Sequence, residues 1–125
     1  MSCLNYNDEI LVDYDDAMMR LMNDESLYYR WLNEFFKSDI INEIVFITKD
    51  CDFDEIHKSL HHLKGVSANL SLNRLAAYAR YLDEFAKSKR ELNKIVEGVD
   101  ILENIFIKTH EFCIKKNYCE WSRKV

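Results

Sequence analysis

The sequence contains no proline and only two glycines among its 125 residues. Small sheet proteins need many tight turns, and tight turns draw on Gly and Pro for their backbone geometry. A chain with so little of both favours long helices joined by short polar connections. Hydrophobic residues still make up 48% of the chain and charged residues 31%. The chain can therefore bury a core, and its length suits a single domain.

Other absences exclude whole classes of function. The formal net charge is −5, so nucleic acid is not an expected partner, because phosphate backbones are bound by clustered Lys and Arg. No apolar stretch approaches the roughly 20 residues that cross a bilayer, and no charged segment followed by an apolar one begins the chain. We therefore expect no membrane association. A GxxxxGK[ST] pattern is also missing, so we expect no enzyme that phosphorylates itself from ATP.

The cysteines do not pair in a CxxC pattern that would hold a metal. There are four of them: Cys3, Cys51, Cys113 and Cys119. Without a secretory leader, reduced thiols in a cytoplasmic protein are the simplest interpretation.

Apolar residues recur at spacings of three and four, which predicts helices. A short helix follows Asp13, and a longer helical stretch runs from about residue 25 to 49 with a break or kink at Ser38-Asp39. Three further helices carry apolar seams within residues 56–70, 75–86 and 92–113. The predicted fold is all-α: an up-and-down four-helix bundle with a short additional N-terminal helix. We expect a lead-in at residues 1–12, the bundle domain at 13–118 and a tail at 119–125.

One segment carries residues that suggest chemistry. The seam of its helix consists of Ile56, Leu60, Leu63, Ser67 and Leu70. His61 lies about 100° around the helix from Leu60, which places it beside the core seam. By helical spacing, His57, Lys64, Gly65 and Ala68 share that adjacent face.

Gly65 is unusual at this place, because glycine inside a helix costs about 1 kcal/mol relative to alanine. It sits one turn after His61, so the missing side chain leaves room for something large to approach the imidazole. Lys64 brings an ammonium group to the same turn. An exposed imidazole is a competent nucleophile toward phosphorus at neutral pH. The three residues together favour acceptance of a phosphoryl group.

The segment from His61 to Leu70 reads HHLKGVSANL and resembles the H-x-L-K-G-x-S-A-N-L signature of the histidine-containing phosphotransfer (HPt) family. The flanking stretches 14–36 and 75–83 are also similar to that family, so the resemblance covers roughly residues 13–115. It implies that His61 takes a phosphoryl group from a receiver domain's phosphoaspartate and passes it to another receiver. His62 falls on the variable position, Lys64 on the lysine that steadies the phosphate, and Gly65 on the glycine that lets the receiver dock.

The resemblance has further implications. A polar residue of the next helix orients the imidazole in this family, and that position falls on Asp83, whose carboxylate at the His61 Nδ1–H would leave Nε2 free. Many members have glycine where this chain has Ser71, which leaves the turn geometry open. No cofactor is expected on this chain, because Mg²⁺ belongs to the partner receiver. The expected partners are response-regulator receiver domains and a hybrid histidine kinase. A monomer is the expected state, and whether it is free-standing or part of a larger kinase stays open.

Two other functions stay open at this point. The first is a helical interaction module that binds receivers or a histidine kinase without being phosphorylated. The second is a metal-binding bundle, because His57 and His61 form an i, i+4 pair that could bind a transition metal. It is disfavoured because a third and fourth ligand would have to come from residues such as Asp54, Asp83 or Glu84. The aromatic residues around Trp31 are interpreted mainly as core, with part of a docking surface as the alternative.

Overall fold

The computed structural model describes residues 11–119, and all regular structure in that part of the chain is helical. The predicted all-α class is therefore confirmed. The six helices are α1 (Tyr14–Arg20), α2 (Glu25–Lys37), α3 (Ile40–Thr48), α4 (Phe53–Asn69), α5 (Asn73–Ser88) and α6 (Leu92–Lys115). Most of the predicted lead-in and tail, residues 1–10 and 120–125, lies outside the described residues.

Four of the helices have an aspartate at the N-cap, and in three of them its side chain accepts a hydrogen bond from the first turn. The side chain of Asp13 accepts a hydrogen bond from the Asp16 N–H at 3.0 Å, and Asp24 caps α2 in the same way. Asp52 accepts from the amides of Asp54 and Glu55 and so caps α4, the helix that carries His61. Such caps satisfy amides that have no partner inside the helix.

The break expected at Ser38-Asp39 separates α2 from α3. Ser38 takes an extended conformation, with ψ at 165°, and its hydroxyl donates to the Phe35 carbonyl at 2.7 Å. A serine hydroxyl that bonds the last turn in this way competes with continuation of the helix.

Both glycines lie inside helices. Where the chain turns through the left-handed conformation at the end of a helix, a residue other than glycine must therefore adopt it. Seven described residues do so: Met22, Asn23, Cys51, Ser71, Lys89, Glu91 and Asn117. Each such residue costs roughly 1–2 kcal/mol that glycine would not incur.

All six helices contribute buried apolar residues to the core, and α2 adds the fully buried Tyr28 and Leu32. The longest contact runs between α4 and α5; α5 also packs against α6, and α3 touches both α4 and α6. The predicted seam of α4, from Ile56 to Leu70, is buried throughout. Gly98 allows close packing of α6 on α5, because a Cβ there would overlap Cδ2 of the buried Leu82.

The turn between α4 and α5 is held by the N-terminal helices. Ser71 stands in this turn with φ at 58°, its carbonyl accepts from the Asp13 N–H at 3.0 Å, and its hydroxyl donates to Asp16 Oδ2 at 2.8 Å. From α2, the buried Tyr28 hydroxyl donates to the Leu70 carbonyl at 2.6 Å. The turn geometry that the sequence left open is therefore a left-handed serine fixed by α1.

The two ends of the described chain meet at one place. Tyr14 of α1 stacks on Tyr118, which follows α6, with ring centroids 4.7 Å apart. The Tyr14 hydroxyl also bonds Glu25 of α2. Within residues 11–119, none of the helices is long and apolar enough to cross a membrane.

Candidate functional site

His61 lies in the middle of α4 with its imidazole exposed to solvent. Leu60 and Leu63, which are close to His61 in the sequence, are fully buried, so this part of α4 is packed firmly against the core. The placement agrees with a side chain beside the core seam and open to a partner. A rigid helix presents such a group more precisely than a loop does.

Gly65, one turn further along α4, faces open space. A Cβ built on it would meet no other heavy atom within 4 Å, apart from its immediate neighbours and the helix's own backbone. Packing inside the protein therefore gives no reason for glycine here, in contrast to Gly98. Because residue 65 has no side chain, the surface of α4 beside His61 is recessed at this point.

Lys64 is half-buried on the same side of α4. It lies three residues after His61, and side chains at this spacing are neighbours on a helix surface. A lysine ammonium on its flexible stem can reach an anionic group carried by the neighbouring turn.

The expectation that Asp83 orients the His61 imidazole needs correction. In the structure Asp83 Oδ1 pairs with Nδ1 of His57 at 2.7 Å. The His57 ring in turn lies beside the His61 ring, with centroids 5.6 Å apart and planes inclined at 45°. The carboxylate thus reaches the neighbour of His61 and not His61 itself.

The reason lies in how α4 and α5 are aligned. Lys89 contacts Asp54 at 3.5 Å, and Asp83 contacts His57 one turn further along α4, so the two helices run antiparallel in this register. Asp83 is therefore level with His57. An aspartate, one methylene shorter than a glutamate, pairs with the histidine it faces directly.

His62 points away from this group. It lines a groove of about 360 Å³ on the other side of α4, between that helix and α2–α3. The groove, here called the Trp31 groove, is lined by Trp31, Glu34, Phe35, Ser38, Ile40, His62, Val66, Asn69 and Leu70. Adjacent histidines therefore face different surfaces, as their 100° separation on a helix requires.

The Trp31 groove divides the aromatic residues of α2 between core and surface. Tyr28, Phe35 and Phe36 are buried, whereas Trp31 is 38% exposed at the rim. The interpretation as core was right for the first three. The alternative, a place on the surface, was given for the whole cluster and fits Trp31.

Within residues 11–119, no cluster of three or more His, Cys, Asp or Glu side chains could hold a metal ion. His57 and His61 are neighbours, but Asp83 already faces the Nδ1 of His57. The carboxylate of Asp83 is therefore engaged in a hydrogen bond with the ring of His57.

Two features of the site were missed by sequence reasoning. The His57–Asp83 pair had one signal, a carboxylate at a position of α5 flanked by the apolar residues Ala79, Leu82 and Ala86, which requires a partner when it is buried. The sequence contained no signal for the Trp31 groove as such, because residues of three helices form it and no local spacing brings them together.

Comparison with known proteins identifies one family. A family model described as Hpt domain matches residues 32–109, which is more than half of the chain. The matched region includes the end of α2 from Leu32 onward, all of α3 to α5 and most of α6. No curated protein and no solved structure matches the chain.

Proposed function

The chain belongs to the Hpt domain family, and from this membership we propose that it carries a phosphoryl group on His61 between receiver domains. Hpt domains are phosphotransfer carriers, not kinases, in the phosphorelays of two-component signalling. They interact with receiver domains and with kinases.

The observation that carries the proposal is the open space at Gly65 beside an exposed histidine. Glycine within a helix costs about 1 kcal/mol relative to alanine, and no contact inside the protein makes use of it. The low surface therefore serves a molecule that comes from outside. A receiver domain must bring its phosphoaspartate close to the imidazole, and a side chain at residue 65 would obstruct it.

In the proposed step a ring nitrogen of His61 attacks the phosphorus of the receiver's aspartyl phosphate. The N–P bond forms as the P–O bond to the aspartate breaks, and the carboxylate leaves with the bonding electrons. The remaining ring proton passes to water. Transfer to a second receiver reverses these events, with the second aspartate as the nucleophile.

Lys64 supports the step through its charge. The phosphoryl group brings negative charge to the surface of α4, and an ammonium one turn away stabilises it. Mg²⁺ and the acidic side chains that hold the transferring group would be supplied by the receiver, so we propose no cofactor on this chain.

We also propose that the receiver docks over the exposed face of α4 and onto the Trp31 groove. The groove is open, its lining is largely apolar, and it adjoins the helix that carries His61. Exposed apolar surface edged by polar groups is typical of partner sites. Trp is moreover enriched among residues that dominate interface energies.

The bundle topology, the domain bounds and the oligomeric state are also proposed. We infer that α3 to α6 form an up-and-down four-helix bundle, because these helices contact one another in a closed cycle. Residues 13–118 would form the domain, since Asp13 and Tyr118 both make contacts with its other elements. We propose that it acts as a cytoplasmic monomer.

The phosphoacceptor is tested with a labelled phospho-receiver and with phosphoramidate, a small-molecule phosphoryl donor. We expect acid-labile, base-stable label on the wild-type protein, none on His61→Gln with either donor, and normal labelling of His62→Gln by phosphoramidate, which needs no docking surface. His62→Gln is the matched control, because it alters the neighbouring histidine on a different surface of the same helix.

Two outcomes would contradict the proposal. Label that survives in His61→Gln and disappears in His62→Gln would show that the acceptor is the other histidine. A wild-type protein that binds the receiver and takes no label from either donor would be an interaction module without a phosphotransfer role.

A further inference from the structure

Asp83 is 3% exposed and is the one buried carboxylate among residues 11–119. Burial of a carboxylate is costly unless a donor meets it, and here the donor is Nδ1 of His57 at 2.7 Å. A lysine or arginine would satisfy the carboxylate as well. What a histidine adds is a second ring nitrogen, on the side of the ring away from the carboxylate.

That second nitrogen is accessible. The His57 side chain is 38% exposed, so its Nε2 can meet a partner while Nδ1 holds Asp83. The ring lies beside His61, with centroids 5.6 Å apart. A phosphoryl group attached to His61 would extend beyond its ring into this surrounding space.

We infer that His57, fixed by Asp83, is a positioning residue that donates a hydrogen bond from Nε2 to the phosphoryl group on His61. The inference rests on the proposed function and adds a residue to it. Protonated histidine donates from both nitrogens, so His57 then serves Asp83 and the phosphoryl group together. Asp83 acts on His61 through His57.

The other charged groups near His57 leave this arrangement intact. On α4, Asp54 one turn earlier is paired with Lys89 of α5 at 3.5 Å, and Lys58 is paired with Glu55 at 3.6 Å. Asp83 is thus the carboxylate that faces His57. With the imidazole of His57 between them, this carboxylate and the phosphoryl group are kept apart, which limits their repulsion.

The test measures how a phosphoryl group distributes between two proteins at equilibrium. Wild-type protein is phosphorylated with phosphoramidate, in which the P–N bond breaks, the N–P bond to His61 forms and ammonia leaves. It is then mixed with an equal amount of His57→Gln protein and a catalytic amount of a receiver domain that exchanges phosphoryl groups with both. Because the receiver is only a shuttle, the final ratio reports the relative stability of the two phosphorylated forms.

We expect the wild type to hold about threefold to tenfold more label than His57→Gln, as suits the loss of one charge-assisted but partly exposed hydrogen bond. His57→Arg should restore most of the difference, because a guanidinium can donate to both Asp83 and the phosphoryl group. Asp83→Asn should shift the ratio in the same direction as His57→Gln. Lys108→Ala, a control at an exposed position of α6, should share the label equally with the wild type.

The possible results separate the two claims. Equal sharing between wild type and His57→Gln, with the label on His61, overturns this inference and leaves the proposed function standing. Absence of label on wild-type His61 overturns the proposed function and the inference with it. A purely structural pair would lower the thermal midpoint of His57→Gln and Asp83→Asn without moving the ratio, which also overturns the inference.

Discussion

The hydroxyl of Ser71 donates to Asp16 Oδ2 at 2.8 Å across 55 residues of sequence. This bond joins α1 to the turn that ends α4, the helix that carries His61. Ser71 is fully buried and holds φ at 58°, a conformation that glycine adopts without strain. The position therefore combines a backbone cost with a compensating side-chain bond.

Substitutions at Ser71 should separate these two contributions. Ser71→Ala loses the bond to Asp16 and keeps the backbone cost, so its free energy of unfolding should fall by about 1 kcal/mol. Ser71→Gly loses the same bond and relieves the backbone, so it should be about 1 kcal/mol more stable than Ser71→Ala. Urea denaturation of the three proteins measures both differences. Equal stability of the two variants would mean that the left-handed turn costs nothing.

The same bond predicts a loss of stability in acid. The hydrogen bond from Ser71, followed by that from Arg20, lowers the pKa of Asp16 below its ordinary value of 3.8. A carboxyl whose pKa is lower in the folded state stabilises the fold above its unfolded pKa, and this contribution disappears as the pH falls through the folded pKa. The thermal midpoint of Asp16→Asn should therefore depend less on pH below about 4 than that of the wild type. Parallel acid profiles of the two proteins would argue against the lowered pKa.

The two glycines should respond in opposite ways to alanine. Gly65→Ala should raise the free energy of unfolding by about 0.5–1 kcal/mol, because the site is helical and open. Gly98→Ala should lower it by about 1–3 kcal/mol, because the new methyl group meets the buried Leu82. Guanidinium denaturation compares them.

Access at Gly65 is tested by a larger side chain. Gly65→Gln should take label from phosphoramidate as the wild type does and exchange it with a receiver at least tenfold more slowly. Unchanged exchange would remove the reason proposed for the glycine.

Lys64→Ala should slow phosphoryl transfer from a receiver by about tenfold, which corresponds to roughly 1.4 kcal/mol of lost stabilisation. The cause is removal of the ammonium beside the transferring group. Lys108→Ala, an exposed lysine of α6, provides the control for a change in net charge. Stopped transfer reactions with a labelled receiver measure both. Equal rates for the two variants would show that Lys64 affects transfer only through the net charge of the protein.

Trp31→Ala should weaken receiver binding by about tenfold or more, because a large aromatic at the rim of the groove would lose its contact area. Labelling by phosphoramidate should not change, since that donor needs no docking surface. Ile107→Ala removes a similarly exposed apolar side chain from α6 and should bind the receiver normally. Calorimetric titration gives both affinities, and loss of binding in both variants would point to a general defect.

The helices and the buried seams could be predicted because each depends on a local repeat. The three- and four-residue spacing of Leu60, Leu63 and Ser67 determines which side of α4 meets the core wherever its neighbours lie. The same repeat places His61 beside the seam and separates it from His62. For these residues, helix geometry is sufficient.

The partner of Asp83 could not be predicted, because it depends on how far α5 is shifted along α4. A shift of one turn would bring Asp83 to His61, and no local spacing distinguishes the two arrangements. The contacts between α1 and Ser71 could not be predicted for a similar reason, because they join residues far apart in the sequence. Long-range register is decided by the packing of whole helices.

The stacked pair Tyr14 and Tyr118 brings the points where the chain enters and leaves the bundle side by side. A unit of this kind can be inserted into a loop of a host protein with little strain, because the host chain resumes near where it was interrupted. By the same geometry, a short linker could join these ends and new ends could be opened elsewhere, in a circular permutation that leaves the surface around His61 untouched.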